Sequence, residues 1–248
     1  MPSILTESNI EDVALEILSE LGYKILHGPD IAPDGINPQR KSYSDVVLIK
    51  RLRDAVDRIN PNIPEEEREE VVKKVLRSES PLLIINNQSF HKKLVEGVDI
   101  EYRKKDGSIA NDKVWLFDFK NPQNNEFLAV NQFTVLENNN NRRPDIILFI
   151  NGLPLVVIEL KNPADENATI WTAFNQLETY KAQIPTLFHY NAISVISDGI
   201  EARAGTITSN KERFMPWKTI EGKETAPSAM LSWKFCSREC LIKKYCLT

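Results

Sequence analysis

With 248 residues, 42% of them apolar and 27% charged, the chain is long enough to bury a core in one large or two small domains, and 9 Gly against 14 Pro exclude collagen-like and low-complexity classes. No stretch approaches the roughly 18 apolar residues of a membrane span, and positions 1 to 9 lack the basic-then-apolar order of an export signal, so a cytoplasmic protein that makes no use of a membrane is expected. A net charge of −4 gives no global footprint for nucleic acid, so any DNA affinity has to be local or supplied by a partner.

In chain order, Ile10, Ala14, Ile17 and Leu21 form one stripe and predict an amphipathic helix over 8–21, closed by Gly22. The stretch from His27 to Lys41 contains Pro29, Pro33, Gly35 and Pro38 and reads as an irregular loop. Ser44 is placed to cap a second helix over 45–59. Pro64 opens a third, with Glu65, Glu66 and Glu67 in its first turn and Lys73, Lys74 and Arg77 near its end, the order the macrodipole favours. From Leu82 onward a period of two predicts strands at 82–86, 97–103, 113–120, 127–136, 145–150, 154–161 and 192–197. Trp115, Phe117 and Phe119 alternate along one of them as core residues. One helix, about 168–183, interrupts the series. Helices first, then strands with a late helix, predict an α/β or α+β domain on a mixed sheet.

Two features near the end carry little chemistry. Gly222-Lys223-Glu224-Thr225 lacks the upstream glycine of a phosphate loop. Cys236, Cys240 and Cys246 have no histidine nearby, so free thiols are expected rather than a disulfide framework or a zinc site.

The informative stretch runs from Arg143 to Lys161. Two apolar runs flank Asn151-Gly152, the strongest short-range hairpin signal; Ile146, Leu148 and Ile150 alternate with Ile147 and Phe149, and the second strand is apolar on both faces too, so the sheet should be covered on both sides. Asp145, Glu159 and Lys161 then sit in a buried layer, where each is costly alone. A bare two-residue loop would place Asp145 opposite Ile158 and send Glu159 to the other face. A three-residue loop including Leu153, or one bulged residue, places Asp145 opposite Glu159, and this second register is expected. Two carboxylates about 4 Å apart repel by about 4 kcal/mol at an effective dielectric of about 20, a repulsion that a hard divalent cation such as magnesium or manganese turns into binding. Metal-assisted phosphodiester hydrolysis is the reaction class this describes. The structural alternative is an ion pair at strand ends, worth about 0 to 1 kcal/mol.

Pro144-Asp145, Glu159 and Lys161 resemble the PD-(D/E)xK nuclease motif. The resemblance implies that Asp145 and Glu159 bind Mg2+ (with Mn2+ as a substitute), that the carbonyl of Leu160 is a further ligand, and that Lys161 completes the catalytic site. Gln176 and Tyr180, four apart and therefore on one helix face, match the Q-x-x-x-Y motif of RecB-like nucleases, whose Gln and Tyr lie beside the active site. More broadly, Thr6-Glu7 through Tyr23, Ser42-Tyr43-Ser44-Asp45-Val46, Val130-Asn131-Gln132-Phe133, Asn141 to Asp145 and Asn151 to Pro154 resemble the N-terminal nuclease domain of the R (restriction, or motor) subunit of type I restriction-modification enzymes, over about residues 5–222.

That resemblance implies an α/β fold with a restriction-endonuclease-like core, a mixed central sheet flanked by helices. It implies a nuclease domain over 1–222, helical over about 8–77 with its catalytic sheet over about 82–200, and a poorly matched tail over 223–248. The substrate would be double-stranded DNA in the prokaryotic cytoplasm, the partners the specificity and methyltransferase subunits, and ATP would belong only to the motor domains of a longer parent. Glu11 on the first helix, Gln132 with Asn131, and Arg143 with Arg142 are secondary candidates for supporting the site or touching DNA, as is a basic patch at Arg103, Lys104 and Lys105; ordinary surface solvation is the alternative for each. A stand-alone RecB-like exonuclease and a non-catalytic docking module of the same fold remain the competing readings.

Overall fold

A computed structural model describes residues 7–104, 106–162, 169–198 and 201–216. Helix α1 (Glu7–Glu20) turns at Gly22 into strand β1 (Lys24–His27). After the proline-rich loop come helices α2 (Ile49–Ile59), α3 (Glu65–Leu76) and α4 (Leu83–Glu96), then the hairpin of β2 (Val98–Arg103) and β3 (Ile109–Val114). Strands β4 (Phe127–Asn131), β5 (Val135–Glu137), β6 (Asn140–Arg142), β7 (Ile146–Ile150) and β8 (Leu153–Leu160) follow. The remaining elements are α5 (Ile170–Gln183), α6 (Pro185–Phe188), β9 (Ile193–Ser197), β10 (Ala202–Gly205) and β11 (Met215–Pro216).

The central sheet has seven strands in the order β1-β4-β7-β8-β9-β10-β11. β1 runs parallel to β4 and β8 parallel to β9, and the other neighbours are antiparallel, so the sheet is mixed, as expected. Helix α1 packs against β1 and β4, and α5 against β8 and β9. Every residue of β7 and β8 is buried, and at roughly 1.5 to 3 kcal/mol for each large apolar side chain this hairpin anchors the core.

Four predicted elements are corrected. The segment 82–86 is not a strand but the start of α4: Asn87, Phe90 and Leu94 are buried at helical spacing, whereas Leu82 to Ile85 viewed alone is a short apolar run whose period decides nothing. Helix α2 begins at Ile49 rather than 45, because the Asp45 carboxylate accepts the backbone N–H groups of Lys41 and Ser42 at 3.0 and 2.9 Å and holds a turn there. The strand expected over 113–120 ends at Val114. There the Asn60 side chain takes both backbone groups of Trp115 at 2.8 Å, leaving that indole partly exposed while Phe117 is buried. The strand expected over 127–136 breaks at Gln132, whose φ of 54° is left-handed.

The hairpin forms as predicted. Asn151 and Gly152 have φ of 51° and 80°, the left-handed pair of a tight two-residue turn, and a Cβ on Gly152 would stand 2.5 Å from the Leu48 carbonyl oxygen. The ladder pairs Ile150 with Leu153, Phe149 with Pro154 and Leu148 with Val156, so Leu155 is an extra residue. Pro154 has no N–H to donate, a position where bulges occur, and the Leu155 carbonyl turns to accept the N–H of Ala192 at 2.7 Å.

Candidate active site

Beyond the bulge the register is Ile146 opposite Ile158, so the next residues outward, Asp145 and Glu159, face one another. The bulged alternative is therefore the one adopted. The contact runs from backbone to side chain: the N–H of Leu160 donates to Asp145 Oδ2 at 2.7 Å. Glu159 is fully buried, and Lys161, two residues on and hence on the same face, places its Nζ 3.2 Å from Glu159 Oε1 with a side chain only 12% exposed. A buried carboxylate survives ionised only when a counter-charge and hydrogen bonds replace its water. Lys161 is itself held by its backbone, which donates to the Ser197 carbonyl at 2.9 Å.

Helix α5 brings the second motif to the same place. The Gln176 side-chain N–H donates to the Tyr180 hydroxyl oxygen at 2.6 Å, and Tyr180 is buried. Burial pushes its phenol far above the ordinary range, and the charge of Glu159, then that of Asp145, and a hydrogen bond with Glu159 push it in the same direction. An amide, a phenol and a carboxylate thus run in series from the helix to the sheet. Thr169 begins the helix with a reciprocal capping box to Thr172.

On the β1 and β4 side, Glu11 accepts the side-chain N–H groups of Asn131 (2.7 Å) and Gln132 (2.5 Å). The Gln132 backbone N–H donates to the Asp145 carbonyl at 2.9 Å. His27, at the end of β1, lies with its Nδ1 3.1 Å from Asn131 Oδ1. Since the amide oxygen can only accept, Nδ1 carries the proton. Sequence reasoning missed His27 as a neighbour of this end of the sheet, because the four-residue β1 that carries it is too short to show alternation.

The basic candidates are not gathered there equally. Arg143 is exposed two residues before Asp145 in the chain, whereas Arg142 is engaged by the side chain of Gln183 at the end of α5. Arg103 is exposed at the end of β2 in the separate two-stranded β2-β3 sheet and Lys104 is exposed just after it, and Lys105 lies outside the described residues, as do 222–225 and the three cysteines. No cluster of three or more His, Cys, Asp or Glu side chains able to hold a metal exists among the described residues. The donor set at this site is instead two carboxylates, Asp145 next to β7 and Glu159 on the adjacent β8. It consists of hard oxygens, which fits a cation that keeps several waters. Among the described residues, no helix is long and apolar enough to cross a membrane.

Comparison with known proteins shows the family of the chain. The profile of the family described as "Type I restriction enzyme R protein N terminus" matches residues 4–213. Among individual relatives, the type I restriction enzyme HindI endonuclease subunit of Haemophilus influenzae is 43% identical over 89% of this chain and 21% of its own length. The putative type I restriction enzyme MjaIXP endonuclease subunit of Methanocaldococcus jannaschii is 38% identical over 87% of this chain and 20% of its own. The type I restriction enzyme EcoprrI endonuclease subunit of Escherichia coli is 36% identical over 44% of this chain and 35% of its own. The chain therefore spans about a fifth of the length of the first two, and by the extent of these matches it belongs to the type I restriction enzyme R protein N-terminal family.

Proposed function

We propose that this chain is the nuclease domain of a type I restriction enzyme R subunit and hydrolyses phosphodiester bonds in double-stranded DNA with the help of Mg2+, or Mn2+ in its place. The observation that carries this reading is the register: one bulged residue brings Asp145 and Glu159 face to face, with the Lys161 ammonium 3.2 Å from Glu159. Its relatives named as endonuclease subunits of type I restriction enzymes support the same reaction class.

In this reading Asp145, Glu159 and the carbonyl of Leu160 hold the cation, which when bound supplies Lewis-acid polarisation of the phosphoryl oxygen and acidifies water. Lys161 stabilises charge that develops on the phosphoryl oxygens as the attacking oxygen arrives. Tyr180, oriented by Gln176, fixes the direction of the Glu159 carboxylate. Arg143, exposed two residues before Asp145 in the chain, is available to a neighbouring phosphate, a contact that positions DNA without reading sequence.

The nuclease unit in this proposal extends over 1–222, with 223–248 as a tail. Target choice resides in specificity and methyltransferase subunits, and ATP is used by motor domains of a longer parent in the cytoplasm. The net charge of −4 supports the dependence on partners, since counterion release from an acidic domain contributes little to DNA affinity. The test is cleavage of circular plasmid DNA by the assembled enzyme carrying Lys161→Ala. Loss of cleavage with intact ATP hydrolysis is expected; undiminished cleavage would overturn the assignment, and an unsubstituted enzyme that degrades linear DNA from its ends but leaves circular plasmid intact would favour an exonuclease.

A further inference from the structure

The left-handed residue at the end of β4 stands out because it is neither glycine nor asparagine, the types found at the other left-handed positions among the described residues. Gln132 has a φ of 54°, a region that non-glycine residues occupy only where the surroundings over-determine it, and such positions concentrate at functional sites. The surroundings here are specific. Glu11, on α1, takes the side-chain amides of Asn131 and Gln132 on its two oxygens. Gly28 packs so closely that a Cβ on it would stand 2.6 Å from the carbonyl oxygens of both residues, and its N–H donates to Asn131 O at 2.8 Å. His27 holds the oxygen of the same Asn131 amide. The output of this bend is a single bond, the Gln132 N–H donating to the Asp145 carbonyl at 2.9 Å.

We infer that Glu11 and Gln132 are positioning residues: the Glu11 carboxylate locks the left-handed bend, and the bend fixes the backbone from which the Asp145 carboxylate projects. This rests on the nuclease reading above. It gives Glu11 a structural role, each of its two oxygens accepting one of the two amides, and the Mg2+ requirement of its variant separates this role from that of a cation ligand. It also accounts for glutamine at a position where glycine would be conformationally easier: glycine supplies the bend without the side-chain link to α1. A catalytic carboxylate displaced by about 1 Å loses on the order of 100-fold in rate.

Two substitutions test this, Gln132→Gly and Glu11→Gln, with single-turnover DNA cleavage measured in the assembled enzyme and thermal unfolding measured on this chain. Gln132→Gly should unfold at the same temperature as the parent or higher, because the backbone strain is gone, yet cleave about 10- to 100-fold more slowly at saturating DNA, with an unchanged DNA concentration for half-maximal rate. Glu11→Gln should show the same rate loss with an unchanged Mg2+ requirement. Cleavage at the parental rate in Gln132→Gly, or parallel loss of rate and stability, would overturn the inference. So would a raised Mg2+ requirement in Glu11→Gln, which would make Glu11 a ligand. Lys161→Ala serves as the control: if it cleaves normally the nuclease reading fails, whereas a dead Lys161→Ala beside a fully active Gln132→Gly rejects the positioning role alone.

Discussion

The backbone N–H of Leu160 donates to the Asp145 carboxylate at 2.7 Å, so the residue between Glu159 and Lys161 holds the acid of the opposing strand. One bond therefore ties the strand that carries Glu159 and Lys161 to Asp145, the third residue of the proposed site. The geometry also couples stability to chemistry, because a carboxylate with no exposure and an ammonium with 12% are packed at the same place.

Lys161→Met leaves the buried Glu159 charge without its ammonium. Breaking a buried pair from one side costs roughly 3 to 5 kcal/mol, while replacing both members by apolar residues is often neutral. Lys161→Met should thus lower the urea midpoint of this chain by an amount equivalent to about 3 kcal/mol, and the double variant Glu159→Leu, Lys161→Met should recover most of it. Both variants should be inactive in cleavage. Recovery of stability without activity separates the two roles of the pair.

Tyr180→Phe removes the hydroxyl that joins Gln176 to Glu159. A stability loss of about 1 kcal/mol is expected from the hydrogen bonds, with a fall in cleavage rate of about 10-fold and little change in DNA affinity. The phenol itself stays protonated in the folded state well above the ordinary tyrosine value of about 10. An unfolded chain ionises there first, so Tyr180 contributes stability that is full below about pH 10 and declines above it. Ultraviolet titration of the phenolates should give the same amplitude near that pH for Tyr180→Phe as for the parent.

Acid should loosen the contact between α4 and the segment that follows α6. Burial holds His91 and His189 below the usual imidazole value, although the Asn191 carbonyl bonded to His91 and the charge of Glu137 near His189 push the other way. The unfolded chain takes up these protons at about pH 6.5, before the folded one, so their stability contribution is full above that value and falls as the pH drops below it. The unfolding temperature should decline from about pH 7.5 to about 5.5, and His91→Gln, which retains a donor for the Asn191 carbonyl, should flatten the decline.

Gly152→Ala probes the hairpin from the far end of β7 and β8. A methyl there meets the Leu48 carbonyl oxygen at 2.5 Å in a left-handed backbone with φ of 80°, so a loss of more than about 1 kcal/mol is expected in urea unfolding. Cleavage per folded molecule should be unchanged, since the carboxylates lie at the other end of the strands.

Much of the site was legible in the sequence because its parts are local. Pro144-Asp145, the Asn151-Gly152 turn and Glu159-x-Lys161 lie within one hairpin, and Gln176 and Tyr180 are four apart on one helix. Of the two registers the hairpin allows, the expected one is adopted, with a proline that cannot donate and a carbonyl claimed by Ala192 at the bulge. Elements defined by distant partners were lost: α4 is recognisable from the burial of Asn87, whose amide reaches carbonyls of Phe188, His189 and Asn191. The break at Gln132 depends on Glu11, over a hundred positions away, and no local rule predicts a left-handed glutamine.

The most direct test of the central claim is a crystal structure of this chain soaked in Mn2+ and measured at the manganese absorption edge. The account predicts an anomalous peak bonded to carboxylate oxygens of both Asp145 and Glu159, with the Lys161 ammonium on the same side of the sheet. A folded chain that carries no peak there, or binds manganese only elsewhere, would contradict it.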